Sequence, residues 1–431
     1  RQRQMCIRDR GKDIMAVGLT MFAIFFGAGN LIFPPYLGRM TGAEWFLGFF
    51  FFFIVDIGVS MIAIFATIRS NDLSMTGIPS RLGKKMATVV AIIIATCLAP
   101  CLAVPRTAAT TFEMGWSQMF PNLSIWVFSF IFFAIVCFLT IRPSKVVDIV
   151  GNYLTPILVI CILVLIVLGI IDPIGPIAEE STVVTIKEGI INGYQTMDPL
   201  GVGLIIVAIM GAVTEKGYNT KEIQGRLLAR AALLAGILLF IIYGGLTFLG
   251  STVSSGGYED YNQAALLVAI TEELLGTWGV IMMAVIVLFA CLTTAIGLTS
   301  GFAGTLEKLT NGKCKYKVVV IVMSVFSFVV SNAGIATIIS VAAPILSVIF
   351  PCFITMSVLM FFGKYIKNDN VIRVATLFAF VISLSEVLAG FGLPLTYTQY
   401  LPLHEYSLGW ILPAIVGGIV GKFIPSKQSE A

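Results

Sequence analysis

Runs of about twenty apolar residues, separated by short polar or basic segments, recur along the whole chain, and that is the length a helix needs to cross a bilayer. Twelve can be placed, at 14–37, 43–67, 86–112, 123–141, 146–171, 188–213, 226–250, 276–306, 317–333, 335–363, 371–392 and 407–424. Residues 262–275 are too polar to cross and are expected as a short helix over the outer face. Composition follows the pattern: of 431 residues, 58% are hydrophobic, 12% are charged and 32 are Phe, and the mean hydropathy is +0.98. The expected fold class is an all-α polytopic membrane protein with 12 transmembrane helices.

Charge fixes the expected orientation. With the N-terminus inside, all of the 27 Lys and Arg except Arg39, Arg106 and Lys187 fall in cytoplasmic segments or at their borders, as the positive-inside rule requires. One missed or invented span would invert every later loop. The chain is expected to insert by its own helices, without a cleavable signal peptide ahead of the first run. The expected location is a bacterial plasma (inner) membrane, multi-pass, with both termini cytoplasmic. Residues 1–12 read as a basic cytoplasmic tail, whose first ten residues suit non-native sequence equally well. The net charge of +4 is distributed by membrane side rather than gathered in one patch, which excludes nucleic-acid binding.

Two helix-breaking runs interrupt apolar spans: Phe26, Gly27, Ala28, Gly29, Asn30 in the first, and Gln195, Thr196, Met197, Asp198, Pro199, Leu200, Gly201, Val202, Gly203 in the sixth. Unwound backbone at membrane depth is costly unless it lines a cavity or holds a ligand, so paired breaks indicate a solute site near the midplane. The breaks lie about 170 residues apart at equivalent places in two five-helix units of opposite orientation. The expected organisation is an inverted repeat, 13–171 and 172–365, with 366–431 holding two peripheral helices and a cytoplasmic tail.

The residue types suit a zwitterion. Gly27 and Gly29 let a ligand approach the backbone, and Asn30 offers an amide carbonyl to a cation. A half-helix N-terminus attracts carboxylate, and the C-terminal carbonyls of the preceding half attract ammonium or Na⁺. A glycine-mediated helix contact, or a kink ahead of Pro34 and Pro35, would use the same residues. Asp198 is open to three roles: binding a substrate ammonium, carrying a coupling proton, or capping the second half-helix. Thr293 and Thr294 place two hydroxyls mid-span, for a hard monovalent cation or for their own helix carbonyls.

Arg106 suits a gate, a contact to a substrate carboxylate, or a side chain snorkelling to the outer interface. Asp56 and Glu386 sit within apolar spans and are expected in helix-to-helix contacts as much as in ion transfer. His404, in an outer loop, is expected as a bystander. The eight cysteines show no metal-ligand spacing beyond Cys97 and Cys101, four apart, and are taken as small core residues. No HExxH, GxSxG or P-loop motif occurs and there is a single histidine, so an enzyme is not expected. A secondary transporter is, with a channel as the alternative of a different class.

The run Phe25-Phe26-Gly27-Ala28-Gly29-Asn30-Leu31-Ile32-Phe33-Pro34-Pro35, with Ala103-Val104-Pro105-Arg106-Thr107-Ala108 and Thr196-Met197-Asp198-Pro199-Leu200-Gly201, resembles the bacterial branched-chain amino acid carriers, the branched-chain amino acid:cation symporters. The likeness runs from about Lys12 to the C-terminus. It implies uptake of leucine, isoleucine and valine driven by Na⁺ or H⁺, with no cofactor and no obligate protein partner. It also implies the five-plus-five fold of the sodium-coupled leucine transporter, itself the standard illustration of this architecture. By the same resemblance, Ala23, Phe26 and Ala290 carbonyls with Thr293 and Thr294 hydroxyls would hold Na⁺. Gly27, Ala28, Gly29 and Asn30, with Gln195, Thr196, Met197, Asp198 and Gly201, would surround the substrate. A different neutral amino acid or a nucleobase on the same fold is the competing substrate class.

Overall fold

The computed structural model describes residues 2–142 and 150–425, with residues 2–10 as backbone only. Among the described residues the regular structure is entirely helical. The start of the fifth expected span, 146–149, lies outside them. The first span is two helices, α1 (Gln2–Phe25) and α2 (Ala28–Thr41). A second rod joins α3 (Trp45–Phe53) to α4 (Val59–Arg69) through a π turn at Ile54–Gly58. A third joins α5 (Lys84–Thr96) to α6 (Val104–Thr111) through the π turn Cys97–Ala103, then runs through a further π turn into the short α7 (Ser117–Met119). Then come α8 (Ile125–Thr140) and α9 (Thr155–Ile171).

The second break separates α10 (Thr185–Thr196) from α11 (Asp198–Glu215). After it run α12 (Lys221–Ser251), α13 (Gln263–Leu275), α14 (Thr277–Leu309), α15 (Tyr316–Ser331), α16 (Ile335–Phe361), α17 (Asp369–Gly390) and α18 (Ile411–Phe423). Eight helical stretches among the described residues are long and apolar enough to cross a membrane, and three shorter apolar helices, α8, α15 and α18, accompany them. Phe46, Phe50, Phe130, Phe138 and Ile160 project outward from these rods. Water would not tolerate so large an apolar exterior, and acyl chains suit it. This is a multi-pass membrane protein.

Close backbone approach holds the inner helices together. A Cβ placed on Gly250 of α12 would come within 1.9 Å of the Pro35 carbonyl of α2, and one on Gly38 within 1.9 Å of the Thr247 carbonyl. Without a hydrophobic drive between helices in lipid, such small-residue contacts are what allow tight packing. One continuous core runs from α1 to α16, whereas Ala379 and Trp410 with Ala414 form a small separate cluster between α17 and α18. Helix α13 has the bounds expected of it and buries Leu266, Leu267 and Ile270 against its neighbours.

Candidate functional site

Both breaks are present and both are shorter than the sequence suggested. The first is confined to Phe26 and Gly27, where Gly27 adopts φ −109°, ψ −159°. The second is a single residue, Met197, at φ 69° and ψ 3°. A non-glycine residue held in the left-handed region stores strain that the surroundings must impose, and such residues gather at functional sites. Gly29, Gly201 and Gly203 are helical, contrary to the expected unwinding. Their missing side chains serve close approach: a Cβ on Gly203 would lie 2.6 Å from the Met75 sulfur, and one on Gly29 2.7 Å from an Arg106 guanidinium nitrogen. Pro199 sits in the first turn of α11, where a proline starts a helix without losing a bond.

The two breaks face each other. Asn30 Nδ2 donates to Asp198 Oδ2 at 2.7 Å and also to the Tyr243 hydroxyl, while Gly27 N reaches Asn30 Oδ1 at 3.4 Å. Asp198 therefore spends an oxygen on the other break, and the cap position of α11 belongs to Met197, with Asp198 the first helical residue. From α6, Arg106 donates through one terminal nitrogen to the Gln195 carbonyl at 2.8 Å and through the other to the Thr196 carbonyl at 3.5 Å, using the last carbonyls of α10. It is 3% exposed, which rules out the snorkelling alternative. Thr196 Oγ1 donates to Asp56 Oδ1 at 2.9 Å and to the Gly193 carbonyl at 2.7 Å.

These groups close around a cavity of about 20 Å³ lined on its polar side by Gly27, Ala28, Asn30, Arg106, Thr196 and Asp198. Room for about one water means that an amino-acid-sized solute enters only if the helices move. The apolar wall comes from Phe25, Leu98, Ile205 and Leu298. Of the expected substrate residues, Met197 and Gly201 also line the cavity, whereas Gly29 and Gln195 stand behind it against Arg106.

The expected cation residues converge beside the first break. Thr293 Oγ1 donates to the Ala23 carbonyl at 2.9 Å and the Ala290 carbonyl at 3.0 Å, and Thr294 Oγ1 to Ala23 at 3.2 Å and Ile24 at 2.9 Å. Both hydroxyls thus cross to α1, and Thr293 alone also serves its own helix. Thr294 also packs on Gly27, where a Cβ would come within 2.9 Å of its hydroxyl. Neither hydroxyl reaches the Phe26 carbonyl. Ile24 takes a place the sequence did not assign.

Three features escaped sequence reading. Tyr243 is buried mid-helix against the Phe26 and Phe52 rings at 6.0 and 5.6 Å; a lone hydroxyl in the apolar run Ile241-Ile242-Tyr243-Gly244-Gly245 was its only signal. Leu98 and Leu298 look like any other core leucine. The third is a contact of His404, whose Nδ1 lies 3.3 Å from Glu386 Oε1.

Helices interrupted around a small cavity lined by both polar and apolar residues are the arrangement of a membrane transporter. Residues 10–428 match the family described as "Branched-chain amino acid transport protein", and the chain belongs to that family. It is similar to the branched-chain amino acid permease BrnQ of Bacillus subtilis (strain 168), 34% identical over 95% of this chain and 96% of that one. The BrnQ permease of Escherichia coli (strain K12) is 32% identical over 94% of each. Two solved structures share the fold. One is MHP1, a nucleobase-cation-symport-1 family transporter in a closed conformation with bromovinylhydantoin bound, with a TM-score of 0.63 at 13% identity over 95% of this chain and 91% of that one. The other is MhsT in complex with L-phenylalanine, with a TM-score of 0.57 at 14% identity over 95% and 97%.

Proposed function

We propose that this protein imports leucine, isoleucine and valine across a bacterial inner membrane by symport with a monovalent cation, Na⁺ in first place and H⁺ as the alternative. The observation that carries the reading is the cavity between the two breaks, lined both by polar groups (Asn30, Arg106, Thr196, Asp198) and by aliphatic ones (Leu98, Ile205, Leu298). Membership of the branched-chain family and the names of its BrnQ relatives support the substrate class.

The chain crosses the membrane twelve times with both termini cytoplasmic, as two inverted five-helix units, 13–171 and 172–365, and two outer helices. Asn30 and Asp198, with the exposed ends of α2 and α10, engage the charged groups of the substrate. Arg106 braces the carbonyls of Gln195 and Thr196 and stands within reach of a carboxylate. Leu98, Ile205 and Leu298 receive the branched side chain. Ala23, Ala290, Thr293 and Thr294, with Phe26, hold Na⁺ once the hydroxyls turn their lone pairs inward. Alternating access opens this site first outward and then inward.

The driving force suffices. One positive charge moving down 100 mV releases about 2.3 kcal/mol, and at about 1.36 kcal/mol per tenfold that sustains roughly 50-fold accumulation. Competition in uptake tests the substrate class: excess leucine is expected to block valine entry. Valine uptake insensitive to leucine but blocked by another neutral amino acid or a nucleobase would overturn it.

A further inference from the structure

Asp56 lies in the π turn Ile54–Gly58, fully buried, and does not line the cavity. Its carboxyl is nevertheless within hydrogen-bonding reach of that of Asp198. Oδ1 accepts from Thr196, but the buried Oδ2 meets no donor among the described residues. The charged and titratable groups facing the pair are Arg106, on the Asp198 side, and Tyr243. Two ionised carboxylates beside the one Arg106 guanidinium would leave a negative charge uncompensated at buried positions, an arrangement strongly disfavoured.

We propose that Asp56 and Asp198 hold one proton between them, which makes Asp56 a positioning residue governing the protonation of the carboxyl that lines the cavity. The proton is the missing donor to Asp56 Oδ2, as in other carboxyl pairs forced together. A sodium ion does not suit the place. Thr196 shares its one hydroxyl hydrogen between Asp56 and the Gly193 carbonyl, and Asn30 gives an N–H to Asp198, so beyond the two carboxyls the gap offers a cation few lone pairs, whereas a proton needs only two oxygens. This rests on the reading of Asp198 as substrate-facing, and it adds a second residue to that role.

Infrared spectroscopy of the full chain in lipid vesicles tests the pair without any substrate. The carbonyl stretch of a neutral carboxylic acid is expected in the wild type and lost in both Asp56→Asn and Asp198→Asn. Either variant carries the test if the other fails to fold. Uptake gives the second arm: at fixed Na⁺, wild-type leucine entry is expected to fall about tenfold per pH unit on its alkaline limb. Asp56→Asn, which keeps an acceptor for Thr196 and offers a permanent N–H to Asp198, is expected to show no such limb. A band retained in both variants, or one removed by Na⁺ at constant pH, overturns the shared proton. Absence of leucine uptake in the wild type with the band behaving as expected would overturn the transport reading alone.

Discussion

Asn30 and Asp198 are 168 residues apart in the chain and joined by a 2.7 Å hydrogen bond, which ties the first interrupted helix to the second. Both sit immediately beside the backbone breaks, in the first turns of α2 and α11. Both residues also line the cavity, so a separation of α2 from α11 would lengthen or exchange this bond.

Replacing Asn30 by Ala removes the donor to Asp198 and to the Tyr243 hydroxyl together. A hydrogen bond to a charged or proton-sharing group contributes about 1.5–3 kcal/mol, so leucine uptake per folded molecule is expected to fall about 10- to 100-fold. Uptake by purified protein in proteoliposomes, normalised to the monodisperse fraction, checks it. Wild-type rates in Asn30→Ala would remove the pair from the mechanism.

Thr293→Ala with Thr294→Ala deletes both hydroxyls that reach Ala23 and Ile24. The Na⁺ concentration for half-maximal uptake is expected to rise at least tenfold with the maximal rate less affected. An unchanged Na⁺ response would shift the coupling to protons, with the Asp56 and Asp198 pair as their carrier.

Gly250→Ala forces a methyl group into the Pro35 carbonyl at the contact of α12 with α2. Overpacking of this kind costs about 1–3 kcal/mol, and a lower Tm in detergent is expected. Gly211→Ala, with open space around its Cβ, is the control and is expected to leave Tm unchanged or slightly raised, since alanine favours helix by up to about 1 kcal/mol.

Leucine and isoleucine exceed valine by one methylene, worth about 0.8 kcal/mol on burial. An aliphatic wall of Leu98, Ile205 and Leu298 is therefore expected to rank the three within a few-fold in competition assays. Leu98→Ala enlarges that wall and is expected to weaken valine more than leucine. Discrimination beyond about tenfold in the wild type would contradict a wall that senses only the one-methylene difference.

That the chain is a succession of apolar helices was legible because a twenty-residue apolar run has one dominant outcome in lipid; among the described residues eight stretches are long enough to cross and three shorter apolar helices accompany them. Placement of the breaks was legible too, through Gly27 and the Asp198–Pro199 pair, although their extent was not. Glycine has two uses, loosened backbone and close approach, and the sequence shows only the residue. Gly203 against Met75 and Gly29 against Arg106 belong to the second use. Arg106 was ambiguous for a related reason: the same side chain snorkels or stays inside according to which carbonyls lie near it, and those of Gln195 and Thr196 come from another helix. The aliphatic wall left no mark, because Leu98 and Leu298 are ordinary leucines until the fold turns them toward Asn30 and Asp198.

The most direct test of the central claim is accumulation of radiolabelled leucine in proteoliposomes under separately imposed Na⁺ and H⁺ gradients. Saturable uptake above the equilibrium level, driven by an inward Na⁺ gradient and showing counterflow, is the expected result. Flux that never saturates, shows no counterflow and only follows leucine down its own gradient would contradict the account.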